Sequence, residues 1–194
     1  MPNAAADKRQ PTFQEIVVAK DAYIDAILEE IIRHSLTLPG AIRQCTRDTT
    51  LLGHHVPKGT EVFLVANGPD FFSPGFAVEE SLRSRTSQQA FAEGKSYKAW
   101  QKKGMDAFQP ERWLVEEQGK MVFDKMAGLQ LTFGLGTRGC FGRRLAYLEL
   151  RLFMCLLVWN FVFEPVPKEL ADSSYVDKLT RIPKKCFVRL TPIE

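Results

Sequence analysis

Cysteine is scarce in this sequence, with Cys45, Cys140, Cys155 and Cys186 the four among 194 residues, and no two are spaced as a CxxC pair. That spacing disfavours a zinc ribbon, a dithiol redox site and a disulfide framework alike. An excess of one charge is also missing. With 26 basic and 23 acidic side chains, the formal charge of +3 is too balanced to make nucleic acid the main partner. Long apolar runs are absent as well: the longest, residues 152–159, falls well short of the roughly 20 residues a spanning helix needs. Residues 1–11 lack the apolar core of a secretory signal or membrane anchor, so a soluble or peripherally attached chain is expected. No internal repeat and no flavin- or nicotinamide-binding fingerprint is found.

What is present reads as helices around small sheets. Residues 13–36 carry helical periodicity, clearest at Ile24, Ile27, Leu28 and Ile31, and Asp21 is placed to cap a second helix after one over 12–19. Pro39 and Gly40 end it. Strands are expected over 42–46 and 61–66, with turns near Gly53 and at 57–59. Residues 68–104 offer little pattern beyond a short helix at 87–91, and residues 108–131 read as an irregular meander. A helix over 142–160 is apolar around most of its circumference, which predicts burial. Strands follow over 161–163 and 185–191, with Pro183 in the connection. The order gives a mainly α, α+β fold with small antiparallel sheets.

Chemistry concentrates in FGLGTRGCFG, residues 133–142. Cys140 stands in a glycine-rich loop two residues after Arg138 and just before a helix, a setting that favours the thiolate through unpaired backbone N–H groups and the helix dipole. The N–H groups of Phe141 and Gly142 are expected to face the sulfur. Glycines at 134, 136, 139 and 142 permit positive φ and close approach of backbone to a flat ring. Phe133 is expected to shield the sulfur, and Arg138 suits a buried carboxylate through forked hydrogen bonds. A glycine-rich loop alone would equally suit phosphate, and a lone loop arginine is usually a solvated charge. The other cysteines are assigned to packing, Cys155 most clearly, within LFMCLLVW at 152–159.

Together these positions resemble the haem-binding signature FxxGxRxCxG of the cytochrome P-450 family, the heme-thiolate monooxygenases, and the likeness continues through Ala146 and Glu149. Glu30 and Arg33 resemble the family's ExxR pair, and residues 108–113, FQPERW, resemble the segment whose arginine, here Arg112, completes a buried Glu-Arg-Arg network. Alone, an i, i+3 pair of this kind is usually a solvated helix-face contact. Arg43, with Arg47 as its competitor, matches the strand from which a basic residue reaches a haem propionate. Residues 38–42 and 179–183 match segments lining the substrate cavity.

The resemblance implies haem b as cofactor, Cys140 as axial iron ligand, and Arg43, Phe133, Gly136, Arg138 and Gly142 as further haem-binding positions. It also implies oxidation of a small apolar substrate with O2 and electrons from a separate reductase, which would dock on a basic face at Arg143, Arg144 and Arg151. It spans nearly the whole chain, 1–194, yet corresponds to the C-terminal portion of a catalytic domain, one partial domain without the distal oxygen-activating helix. No AGxDT-like match occurs. The chain is therefore expected to be poorly active or inactive alone, with a non-catalytic haem-binding or haem-free remnant as the rival reading. The length of 76–103 and the wording at 66–72 and 143–151 resemble members from filamentous fungi, many of them in specialised metabolism.

Overall fold

Capping residues in the sequence start the second and third helices. The computed structural model describes residues 1–66, 72–73, 77–94, 104–128 and 130–193. A short helix, α1 (Pro2–Ala6), opens the chain with proline in its first turn. It has no counterpart in the sequence reading. At α2 (Phe13–Val18), Thr12 accepts from the Glu15 N–H at 3.2 Å while Glu15 accepts from the Thr12 N–H at 2.8 Å, a reciprocal capping box. Asp21 then caps α3 (Ala22–Ser35), accepting from the amides of Tyr23 and Ile24. The helix stops at Leu36, whose φ of 25° leaves helical space.

Among the described residues the strands form five antiparallel pairs. Strand β1 (Gly40–Gln44) pairs with β4 (Glu61–Val65), with Gly40 opposite Val65. A methyl at Gly40 would sit 2.5 Å from the Leu64 carbonyl and 2.7 Å from the Phe63 ring, so only glycine fits. Between them, β2 (Thr49–Leu51) and β3 (His54–Val56) form a hairpin whose central residues, Leu52 and Gly53, both have positive φ. After α4 (Arg85–Ala92), capped by Ser84, come β5 (Leu114–Glu117) and β6 (Lys120–Phe123). The long helix α5 (Arg143–Asn160) leads into β7 (Phe161–Glu164), which pairs with β10 (Arg189–Pro192). Strands β8 (Tyr175–Asp177) and β9 (Arg181–Pro183) pair in the connection.

Several expectations need correction. The irregular meander over 108–131 contains a 3-10 turn, Pro110–Trp113, and the β5–β6 hairpin. Its two-residue turn, Gln118 and Gly119, has positive φ at both positions, the geometry that matches strand twist. Strand β1 begins two residues before the expected 42–46. The last strand starts at Arg189, later than 185, and Pro183 closes β9 where a connection was expected. Proline is tolerated at such a strand end because it need not donate there. Residues 76 and 95–103 of the lengthened segment, and residues 67–71 of the fungal-type wording, lie outside the described residues.

The largest departure concerns α5. Expected to be buried, it buries only Cys155, while Leu145, Phe153 and Val158 are 58%, 65% and 61% exposed. Its apolar circumference exceeds what α2, α3 and β7 cover among the described residues. The core proper joins Ala26 of α3 to Trp113 and Ala127, with Leu114 and Phe123 packed on it. Thus α3 packs against the 3-10 turn, β5, β6 and α5.

Candidate functional site

Glu30, in the middle of α3, gathers residues far apart in the chain. Its carboxylate accepts from Arg33 Nε at 2.9 Å and Nη2 at 2.7 Å, from Arg112 Nε at 3.1 Å, and from the Trp113 indole N–H at 2.9 Å. The Gln109 amide adds a further bond at 2.9 Å. Glu30 and Arg33 are fully buried. Burial pushes the Glu30 pKa upward, but the Arg33, Gln109 and Trp113 hydrogen bonds outweigh it, so the carboxyl titrates below its ordinary value. Arg112 also donates to the carbonyls of Gly104 and Ala107, which fixes the segment entering the 3-10 turn. Sequence reasoning brought Glu30, Arg33 and Arg112 together, and it missed Trp113 and the Gln109 amide. Trp113 directly after Arg112, with an indole N–H able to donate, was the available signal.

The cysteine loop is a tight turn closed by its own backbone. Cys140 donates its amide to the Phe133 carbonyl at 2.7 Å, and Gly139 donates to Gly136 at 3.0 Å, around a 3-10 turn at Gly136–Arg138. Gly134 and Gly136 take φ of 64° and 66°, where other L residues are strained. Cys140 is exposed and free of any disulfide. One expectation is not met: neither the Phe141 nor the Gly142 amide donates to the sulfur, and Phe141 is fully exposed. The helix begins at Arg143 with Gly142 as its cap, and the Arg143 amide donates to the Cys140 carbonyl at 3.4 Å. The Phe133 ring lies against Tyr147, 5.4 Å between centroids.

Basic residues divide into engaged and unengaged. Arg138 and Arg43 are exposed and form no ion pair among the described residues; Arg43 donates only to the neighbouring Ile42 carbonyl, at 2.8 Å. Arg47 is exposed as well. Arg151 does not belong to an exposed basic face. Its guanidinium donates to the carbonyls of Ile16 and Ala19 at the end of α2 and pairs with Asp25 at 2.5 Å, leaving its side chain 12% exposed. Arg143 and Arg144 remain exposed, the former over the Tyr147 ring. Cys186, expected to pack, is also exposed.

The two segments matched to a substrate cavity adjoin, because Arg181 donates its amide to the Thr37 carbonyl at 2.7 Å. Leu38, Ile42, Leu179 and Ile182 there are all exposed. The residues present fit an iron porphyrin. A free, accessible thiol offers the soft donor iron accepts, and Gly136 has no atom within 4 Å of where a side chain would stand. Two guanidiniums without acidic partners among the described residues suit a pair of carboxylates.

Comparison with known proteins agrees with this arrangement. The family model for Cytochrome P450 matches residues 3–68 and 98–190. Cytochrome P450 monooxygenase TRI13 of Fusarium sporotrichioides is 39% identical over 98% of this chain and 34% of its own length. The Hps1-dma1 cluster cytochrome P450 monooxygenase cyp3.1 of Dothistroma septosporum is 35% identical over 94% of this chain and 61% of its own. This chain therefore spans only part of the length of these relatives. Among solved structures, a cytochrome P450, CYP102L1, superposes with a TM-score of 0.66 at 23% identity, covering 100% of this chain and 39% of that one.

Proposed function

The chain belongs to the cytochrome P450 family, and on that premise we propose that it holds haem b through Cys140 for a monooxygenase reaction on a small apolar substrate with O2. The observation that carries the proposal is the free, exposed Cys140 closing a tight turn in which Gly136 has open space where a side chain would stand. When bound, the haem supplies the oxygen-activating chemistry, which thiolate donation favours. Cys140 would hold the iron through its sulfur. Arg138 and Arg43 would pair with the haem carboxylates, and Phe133, Gly136 and Gly142 would help to hold the ring. Glu30, Arg33 and Arg112 anchor the segment over 104–113 to α3 and so hold the scaffold without touching substrate.

Residues 38–42 and 179–183 line the apolar substrate's side of the ring in this reading, supported by their adjacency and exposed leucine and isoleucine side chains. Electrons come from a separate acidic reductase docking at Arg143 and Arg144. The fungal relatives support a role in specialised metabolism. Taken alone, these 194 residues are expected to turn over poorly, since an accessible site admits water that quenches oxidising chemistry. The test is product formation from a panel of apolar substrates with a reductase and its electron donor. Haem uptake with product supports the enzyme reading; haem uptake without product under any reductase assigns the chain to non-catalytic haem binding.

A further inference from the structure

A second glutamate, next to the one in the arginine network, faces the other way. Glu29 is only 6% exposed, and nothing in the Glu30 network uses it. Its Oε1 accepts from the Tyr147 hydroxyl at 2.7 Å, and its Oε2 and backbone carbonyl face Gln130 Nε2 at 3.4 and 3.3 Å. Gln130 in turn accepts from the Thr132 hydroxyl at 2.7 Å and from the Thr132 amide at 3.3 Å. Phe133, the next residue, receives the Cys140 amide bond. Tyr147 lies on α5, past the other end of the loop, and stacks on Phe133. One buried carboxylate therefore reaches both the strand of chain entering the cysteine turn and the helix leaving it.

We propose that Glu29 is a positioning residue, a clamp that holds both arms of the Cys140 loop to α3 and so sets where the sulfur stands. Successive residues of a helix point about 100° apart, which is how Glu30 serves the segment over 104–113 while Glu29 serves the loop. The carboxylate lets two donors converge on one side chain, the Tyr147 hydroxyl on one oxygen and the Gln130 amide on the other. Burial raises the Tyr147 pKa, and the Glu29 hydrogen bond raises it further, so the hydroxyl stays a donor across the working pH range. Outer-shell contacts of this type orient a ligand without touching the metal. The link to iron rests on the Cys140 reading above; the clamp itself does not.

The test uses the full chain with Glu29→Ala, Glu29→Gln and Tyr147→Phe. Tyr147→Phe keeps the ring and its volume, so it removes the hydroxyl link with least risk to folding. In the haem-free chain, amide exchange over residues 133–140 is expected to accelerate about tenfold in Glu29→Ala and Tyr147→Phe, while thermal melting of the rest stays near wild type. Glu29→Gln, which keeps an acceptor for Tyr147, should fall between them and wild type. In the hemin-loaded chain, the share of thiolate-type carbon monoxide spectrum should drop and haem release should rise about tenfold in the same two variants. Unchanged loop exchange in both overturns the clamp. A wild-type chain with no thiolate spectrum overturns the Cys140 reading instead, and the exchange result still decides the clamp. A thiolate spectrum in wild type that persists at full share in both variants overturns positioning of the sulfur by Glu29.

Discussion

The indole N–H of Trp113 donates to Oε2 of Glu30 at 2.9 Å, joining the 3-10 turn at Pro110–Trp113 to the middle of α3. Both side chains are fully buried, so the bond is made where water cannot replace it. It ties the charged network to the hydrophobic core, since the same tryptophan packs on Ala26 and Ala127.

Glu30→Ala should therefore cost about 3–5 kcal/mol, because Arg33 would stay buried beside an emptied site. Trp113→Phe should cost about 1–3 kcal/mol for the lost donor to a buried charge. Urea unfolding of the two variants checks the order. Equal midpoints for Glu30→Ala and wild type would remove the network from the scaffold.

The paired glutamates should give opposite pH signatures. Glu30 titrates below its ordinary value in the fold, so its stabilisation is complete above the ordinary carboxylate range and is lost as pH falls toward its lowered folded pKa. Glu29 titrates above its ordinary value, raised first by burial. Between its ordinary and raised values the folded chain holds a proton that the unfolded chain releases, so this contribution weakens as pH rises. Denaturant midpoints should fall less as pH drops below the ordinary carboxylate range in Glu30→Gln, and should fall less as pH rises above that range in Glu29→Gln.

Much of this was legible in the sequence, and the reasons for the rest are physical. The Asp21 cap, the Glu30–Arg33 pair and the glycine loop are local patterns, and each stands where its spacing put it. Helix α4 surrounds the expected 87–91. The hairpin at Gln118 and Gly119 was hidden because glutamine is an uncommon first turn residue, so the two-residue signal was weak. The exposure of α5 was misjudged because apolar content reports what a helix needs covered, not which neighbours are there to cover it. The inward turn of Arg151 depends on the carbonyls of α2, more than 130 positions away in sequence.

At the cysteine turn, Gly134→Ala should be disfavoured by about 1–2 kcal/mol, since its φ of 64° lies in left-handed space. The loss should appear as faster haem release with little change in overall melting. A Gly134→Ala chain that retains haem like wild type would mean the turn can relax without moving the sulfur.

The arginines of α5 should separate by function. Reduction by an acidic partner should slow as salt rises, and Arg144→Glu should slow it at low salt. Arg151→Ala should instead cost about 1.5–3 kcal/mol of stability, through lost charged hydrogen bonds to Ile16 and Ala19, and leave the salt dependence intact. Stopped-flow reduction at two ionic strengths, beside thermal melts, distinguishes them.

The most direct measurement is the spectrum of the hemin-loaded, reduced chain under carbon monoxide, recorded for wild type and Cys140→Ser. Thiolate ligation through Cys140 requires a thiolate-type Soret band in wild type that disappears in the variant. A nitrogen-ligated or unligated spectrum in both, with Cys140 still open to alkylation, would contradict it.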